Sequence, residues 1–403
     1  MPTSDRYTII SADTHAGGSH AQYREYLEPG LRDEFDAWRG QYKNPFKDLG
    51  DARRLRNWDD EMRTSQQETD GVVGEVIFPN TVPPFFPGFV LFARPPKPDE
   101  YALRLAGIRA HNRWLVDFCG LHSARRAGVG QIFINNLDDA LEDVRWIKEH
   151  NLRGGILLPT VPPDCDWVKP LYDRCYDPLW ELCQDLEVPI NCHGGTGSPE
   201  YKTPVGMLLY INEVSFYSQR PLVHMMLAGV FERFPRLRFV LTEQGCAWIP
   251  PLLRRLDDTL AKIRNTGQTG EIRYGEEHVL PRSATEYFHQ NVWVGASQPA
   301  PDDAKARTVI GLDRFMWGSD YPHDEGTYPF TREHLRQVFP GAPEAEMRDV
   351  LATNAARLYG FDLDALAPLA AKVGPTVEEI SRPLTALPEH PNEALLRGAA
   401  PGL

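Results

Sequence analysis

Short apolar runs punctuate the whole chain, and several of them end in polar residues with something to offer chemically. The first, Tyr7-Thr8-Ile9-Ile10, leads into Ser-Ala-Asp-Thr-His at 11–15. Taken from 7 to 13, it is followed by runs at 74–78, 128–134, 154–158, 188–193, 237–243, 292–295 and 314–320. All are of strand length and largely apolar, as buried parallel strands are. The segments between them carry a helical period. Leu137 to His150 places apolar residues at Leu137, Ala140, Leu141, Val144 and Ile147, and 178–186 and 221–234 behave similarly. Eight strands alternating with helices predict an α/β fold, a (β/α)8 TIM barrel. An open doubly wound sheet is the rival, but no G-x-G-x-x-G follows the first run.

Three segments depart from the alternation. Residues 19–70 read as a charged, helical insertion after the first strand. Residues 81–98 hold six prolines and read as a stiff loop near the mouth, a lid or contact surface. The expected domain therefore spans 1–363. Residues 364–403, rich in Ala and Pro, form a C-terminal extension expected to pack on the barrel or on a partner subunit.

The 403 residues include 42% hydrophobic and 25% charged positions, enough for a large soluble core. A net charge of −13 argues against nucleic acid or an anionic membrane as partner, since both reward clustered Lys and Arg. No apolar run reaches membrane-spanning length, and the start lacks the order of a signal peptide, so a cytoplasmic location is expected. Six cysteines, at 119, 165, 175, 183, 192 and 246, form no C-x-x-C pair and read as buried thiols.

The chemistry gathers at strand ends. Asp13 and His15, at i and i+2, leave a strand from the same face, with Gly17-Gly18 as a turn beyond. His193 closes the fifth run, Glu243 the sixth and Asp320 the eighth. In a barrel these ends share one mouth. Two imidazoles with two or three carboxylates make an oxygen and nitrogen donor set suited to Zn²⁺, with Mn²⁺ or Fe²⁺ as alternatives. Unpaired, such carboxylates would repel one another and be poorly solvated, and a divalent cation resolves both problems. His111, His122, His150, His224 and His334 fall on helical stretches and read as structural or solvated. Trp248 and Trp317 read as packing.

The motifs W-G-S-D-Y-P-H (317–323), N-C-H-G-G (191–195) and D-T-H (13–15) resemble the amidohydrolase superfamily. The nearest branch is that of amino-carboxymuconate-semialdehyde decarboxylase and related metal-dependent decarboxylases and hydrolases. D-G-V-V-G-E-V-I-F-P-N (70–80) and R-F-P-R-L-R-F-V-L-T-E-Q-G (233–245) extend the likeness, which runs from about residue 7 to 362. The resemblance implies metal ligands at Asp13, His15, His193 and Asp320, and a homodimer. It departs at Glu243, where the decarboxylases of this branch usually have a histidine. Glu243 would either orient a water and accept its proton, or pair with Arg254 or Arg255.

The reading favoured on these grounds is a metal-dependent hydrolase of a small organic molecule. The metal would lower the pKa of a water that attacks a carbonyl-type carbon. Asp320 would take the water's proton, with Glu243 and His323 assisting. His323 would otherwise hold its loop through a backbone carbonyl. The alternative is non-oxidative decarboxylation of an aromatic or unsaturated carboxylic acid, with Asp320 or His323 protonating the carbon that loses CO2. A second alternative is a non-catalytic barrel that binds a metal or metabolite.

Overall fold

The computed structural model describes residues 5–42, 52–88 and 93–398. Eight parallel strands pair in sequence order: β1 (Ile10–Ala16), β2 (Gly74–Pro79), β3 (Arg126–Gln131), β4 (Gly155–Leu157), β5 (Ile190–His193), β6 (Phe239–Thr242), β7 (Val292–Ser297) and β8 (Phe315–Gly318). The ring closes between its last and first strands. Asp320 N donates to Asp13 O at 3.0 Å, and His15 N donates to Tyr321 O at 2.7 Å. Gly318 makes this seam possible, because a Cβ there would stand 2.7 Å from the Cβ of Asp13. The fold is the expected (β/α)8 barrel with helices between its strands.

Two cores hold it. The larger lies between the strands and the surrounding helices, around Trp180, Phe231 and Phe239. The smaller fills the barrel's interior with Ile10, Val76, Val129, Val240 and Met316. Ala355 and Tyr359 of the helix Asn354–Tyr359 join that inner core, and Asn354 Nδ2 donates to Leu312 O and Phe315 O, at the start of β8. The N-terminal end of the barrel is thereby plugged, and the open mouth is left at the C-terminal strand ends.

The insertion after β1 is helical, with helices His20–Tyr26, Arg32–Gln41 and Asp60–Thr69. Ser19 begins it with a capping box, its hydroxyl accepting from Gln22 N while Gln22 Oε1 accepts from Ser19 N. Gly17 and Gly18 are there for close approach rather than for a turn. Neither has a positive φ, and a Cβ on Gly17 would stand 2.2 Å from Thr81 Oγ1. The loop expected at 81–98 lies partly outside the described residues, which stop at 88 and resume at 93.

Beyond the barrel, helices Leu363–Val373, Val377–Ser381 and Glu393–Arg397 return to it. Tyr7 N donates to Pro375 O at 2.9 Å, Gln337 Nε2 donates to Leu395 O, and Ile380 and Leu395 are buried.

Other expectations need correction. The helix expected at 221–234 starts much earlier, running Gly206–Leu227 straight through Pro221. It ends before Gly229, whose left-handed φ of 69° lets the chain turn into the short helix Val230–Arg233. Residues 206–217 are apolar on several faces at once, so no single stripe marks them. Of the cysteines, Cys175 is exposed; the other five are buried, and all six are free thiols.

Candidate functional site

The polar residues marked at the strand ends meet at the mouth. Asp13 and His15 are both in β1 and fully buried, as are His193 at the end of β5 and Asp320 beyond β8. Asp13 Oδ1 lies 3.5 Å from His15 Nε2 and 3.5 Å from His193 Nε2. Glu243 Oε2 lies 3.1 Å from His193 Nε2 and 3.9 Å from His15 Nε2. Asp320 joins through its Oδ1, 3.2 Å from His15 Nε2.

Two overlapping groups of donor atoms result, each within 4.8 Å of one another: Asp13, His15, His193 and Glu243, and then His15, Asp320 and His323. Glu243 therefore stands among the donors with Asp13, and Asp320 is shared with His323. Among the described residues the ion-pair partners of Glu243 are these histidines, not Arg254 or Arg255.

The backbone at these ends is shaped for the task. Glu243, Asp320 and Gln298, just beyond β6, β8 and β7, have φ of 53°, 60° and 27°. Such values are uncommon for residues with a Cβ, cost on the order of 1–3 kcal/mol each, and persist where the surroundings impose them. Gly194 is required beside them, because a Cβ there would lie 2.1 Å from Glu243 O.

The donor atoms fit a divalent cation. His193 Nδ1 donates to Gly194 O at 2.9 Å, and His15 Nδ1 faces Pro79 O at 3.5 Å. A ring whose Nδ1 donates to a carbonyl turns the lone pair of Nε2 toward the cluster. Those two Nε2 atoms and Asp13 Oδ1 are buried without a hydrogen-bond partner among the described residues. Polar atoms in that position are costly unless something else engages them. Asp13 is oriented by Ser297 at the end of β7, whose hydroxyl donates to Oδ2 and leaves Oδ1 for the cluster.

The electrostatics are those of several buried charges of both signs. Burial disfavours a charged His193, yet the carboxylates of Glu243 and Asp13 outweigh it and push that imidazole up to about 9. Burial, with Asp320 adding repulsion, pushes the Glu243 carboxyl up to about 8. His15 is held below the ordinary histidine value by burial and by the nearby His323. Asp320 is held far below the ordinary carboxylate range: burial opposes this, but His323 and His15 prevail. His323 rises to about 10, because the Asp320 carboxylate overcomes its burial. The raised values of Glu243, His193 and His323 mark an excess of negative charge at the mouth, which a divalent cation would offset.

Residues not singled out from the sequence complete the arrangement. Gln298 Nε2 donates to Asp320 Oδ2 at 2.9 Å. Asn80, just beyond β2, offers Oδ1 to His323 Nε2 at 3.0 Å. Its Nδ2 donates to Asn57 Oδ1 at 2.7 Å, while Asn57 Nδ2 donates to Arg54 O. A backbone carbonyl ends this chain, so each amide has one possible orientation and His323 Nε2 must donate. Behind β1, the buried Glu75 accepts from Arg63, Arg126, Gln67 and Thr14. Arg63 also donates to His15 O at 2.8 Å, which fixes the strand that carries Asp13 and His15. The run at 292–295 stops just short of Ser297-Gln298, and their partners lie on other strands; the one signal in the sequence was two polar residues after a strand.

Comparison with known proteins gives the family of the chain. Residues 70–361 match the amidohydrolase family, and the chain belongs to it. Among curated proteins, decarboxylase orsB of Emericella nidulans is 26% identical over 188 residues, which cover 40% of this chain and 53% of the relative. The match thus spans about half the length of that relative. An amidohydrolase from Mycobacterium avium subsp. paratuberculosis superposes with a TM-score of 0.64 at 18% identity, over 89% of this chain and 99% of the other. The 5-carboxyvanillate decarboxylase of Novosphingobium aromaticivorans, solved with manganese and 4-hydroxy-3-methoxy-5-nitrobenzoic acid, gives 0.65 at 18% identity, covering 88% and 97%. These solved structures share the fold. Among the described residues no helix is long and apolar enough to cross a membrane.

Proposed function

We propose that the protein is a metal-dependent, non-oxidative decarboxylase of an aromatic or unsaturated carboxylic acid. Asp13, His15 and His193 would hold the metal together with Glu243 and Asp320. The order of the two reactions favoured from sequence is thereby reversed. The observation that carries this choice is the engagement of Asp320 on both oxygens, by His323 Nδ1 at 2.7 Å and by Gln298 Nε2 at 2.9 Å. The hydrolase reading asks Asp320 to take a proton from water as well, a further demand on a carboxylate that already accepts on both oxygens. A decarboxylase needs a donor near the carbon that loses CO2, and His323 carries N–H groups at the mouth. The decarboxylases named above among the similar proteins support the same reading.

The metal, when bound, supplies Lewis-acid attraction for the oxygens of the substrate. The chain supplies the rest. Asp320 accepts from His323 Nδ1 and holds the ring against the mouth. Asn80 holds the other nitrogen as a donor. His323 delivers its Nε2 proton to the carbon as the carboxylate departs, the N–H leaving Asn80 Oδ1 for the substrate, general acid work worth typically 10²–10⁴-fold. Glu243, 26% exposed, faces the opening and limits which end of an anionic substrate points inward. Manganese and zinc both suit nitrogen and carboxylate donors, and elemental analysis of the purified protein distinguishes them. The test of the reaction is release of CO2 from carboxyl-labelled hydroxybenzoates by metal-loaded enzyme. CO2 without consumption of water supports the proposal, and a hydrolytic product without CO2 contradicts it.

A further inference from the structure

Beside the donor cluster lies a second chamber that this chemistry does not need. The cavity holding Glu243, His323, Asn80 and Gln298 measures about 760 Å³. Its neighbour, about 610 Å³, is walled by Phe86, Phe133, Leu157, Leu158 and Met207, from the end of β4, the loops after β2, β3 and β4 and the long helix beyond β5. Gly195 and Tyr210 line both cavities, and Tyr210 donates to Gly195 O at 2.9 Å, so one wall divides and connects them. Either volume lies within the roughly 300–1,000 Å³ that houses a drug-sized ligand. A single-ring acid seated at the cluster would leave the apolar chamber to water.

The chamber's wall also carries buried polar groups without partners. Gln131, 2% exposed at the end of β3, has neither amide atom paired among the described residues, and Thr160 Oγ1 is likewise unpaired. The cost of burying such groups is relieved when a ligand pairs with them.

We propose that this chamber takes a large apolar substituent of the substrate, one bearing an oxygen function that pairs with Gln131 or Thr160. The inference rests on the decarboxylase reading for the acid end and adds the size and polarity of the other end. The substrate is then a substituted acid with an alkyl or second-ring group, larger than a simple benzoate.

The test separates the two claims by reading binding apart from turnover. The purified full-length protein is titrated by calorimetry with 4-alkylphenols from methyl to heptyl, and CO2 release is measured from the matching alkyl-hydroxybenzoates. Affinity rises about three- to fourfold per methylene as the chain enters an apolar chamber. Ala93→Trp and Met207→Trp, each filling the chamber from its wall and away from the donor cluster, flatten that rise; the second variant guards against misfolding of the first. Affinity independent of chain length, or a rise that survives in both variants, overturns the inference. A rise without CO2 from any acid supports the chamber and refutes the decarboxylase reading. CO2 from the short acids without any rise refutes the chamber alone.

Discussion

His323 Nδ1 lies 2.7 Å from Asp320 Oδ1, and Asn80 Oδ1 stands 3.0 Å from the same ring's Nε2. Both nitrogens face acceptors, so the imidazole is held as a donor on both sides. His323→Gln preserves a side chain of similar reach without the transferable proton. Turnover is expected to fall about 10²–10⁴-fold while bound metal is retained. Steady-state CO2 release and elemental analysis on one preparation check both halves. Unchanged turnover would remove His323 from the chemistry.

The donor cluster predicts shared loss. His15→Ala and His193→Ala each remove a buried Nε2 aimed at the same point, so either variant is expected to purify without its metal. Ser297→Ala frees Asp13 Oδ2 and is expected to weaken metal binding by about 10–100-fold, read by competition with a chelating dye. A histidine variant that keeps full occupancy is not missing a ligand.

Glu75 is buried among Arg63, Arg126 and Gln67. Burial opposes its ionisation, yet the two guanidinium groups prevail and bring the carboxyl down to about 2. Its contribution is therefore present above the ordinary glutamate value near 4.5 and is lost as pH falls toward 2. Glu75→Gln leaves Arg63 buried without its counter-charge, while Arg126 keeps Asp60, and is expected to destabilise the fold by about 3–5 kcal/mol at pH 7. Thermal and denaturant melts measure it.

Asp70 titrates the other way. Burial pushes its carboxyl up to about 6, although Thr331 donates to it from both N and Oγ1. A raised carboxyl stabilises the fold in its protonated form, fully below about pH 4, and that contribution is lost as pH rises through 6. Between pH 4 and 7 the wild type is expected to lose up to about 3 kcal/mol relative to Asp70→Asn. Parallel melts of the two proteins at both pH values give the difference directly. Identical pH slopes would refute the assignment.

The barrel was legible because each buried strand is a short apolar run, and Asp13, His15 and His193 because they stand at the ends of such runs, within the observed strands. Glu243 and Asp320 were legible for position, lying one and two residues beyond β6 and β8, but not for partners. The sequence pattern allowed Glu243 an arginine; the closed barrel turns it toward His193. Ser297, Gln298 and Asn80 escaped notice because each acts across the mouth on a residue from another strand. A linear pattern records which face a side chain leaves from, not what stands opposite. Arg63 and Glu75 were hidden for the same reason, as a buried ion pair between an insertion helix and β2. The helix Gly206–Leu227 was mistimed because Pro221 suggested a start where the helix passes through.

The most direct test of the account follows the carboxyl carbon. Metal-loaded enzyme is given carboxyl-¹³C hydroxybenzoates in D2O, and the gas and the ring product are analysed together. The account predicts ¹³CO2 with one deuterium on the ring carbon that carried the carboxyl, both abolished by chelation and both lowered about 10²–10⁴-fold by His323→Gln. Retention of the label in a hydrolysed product, with oxygen from solvent and no ¹³CO2, would contradict it.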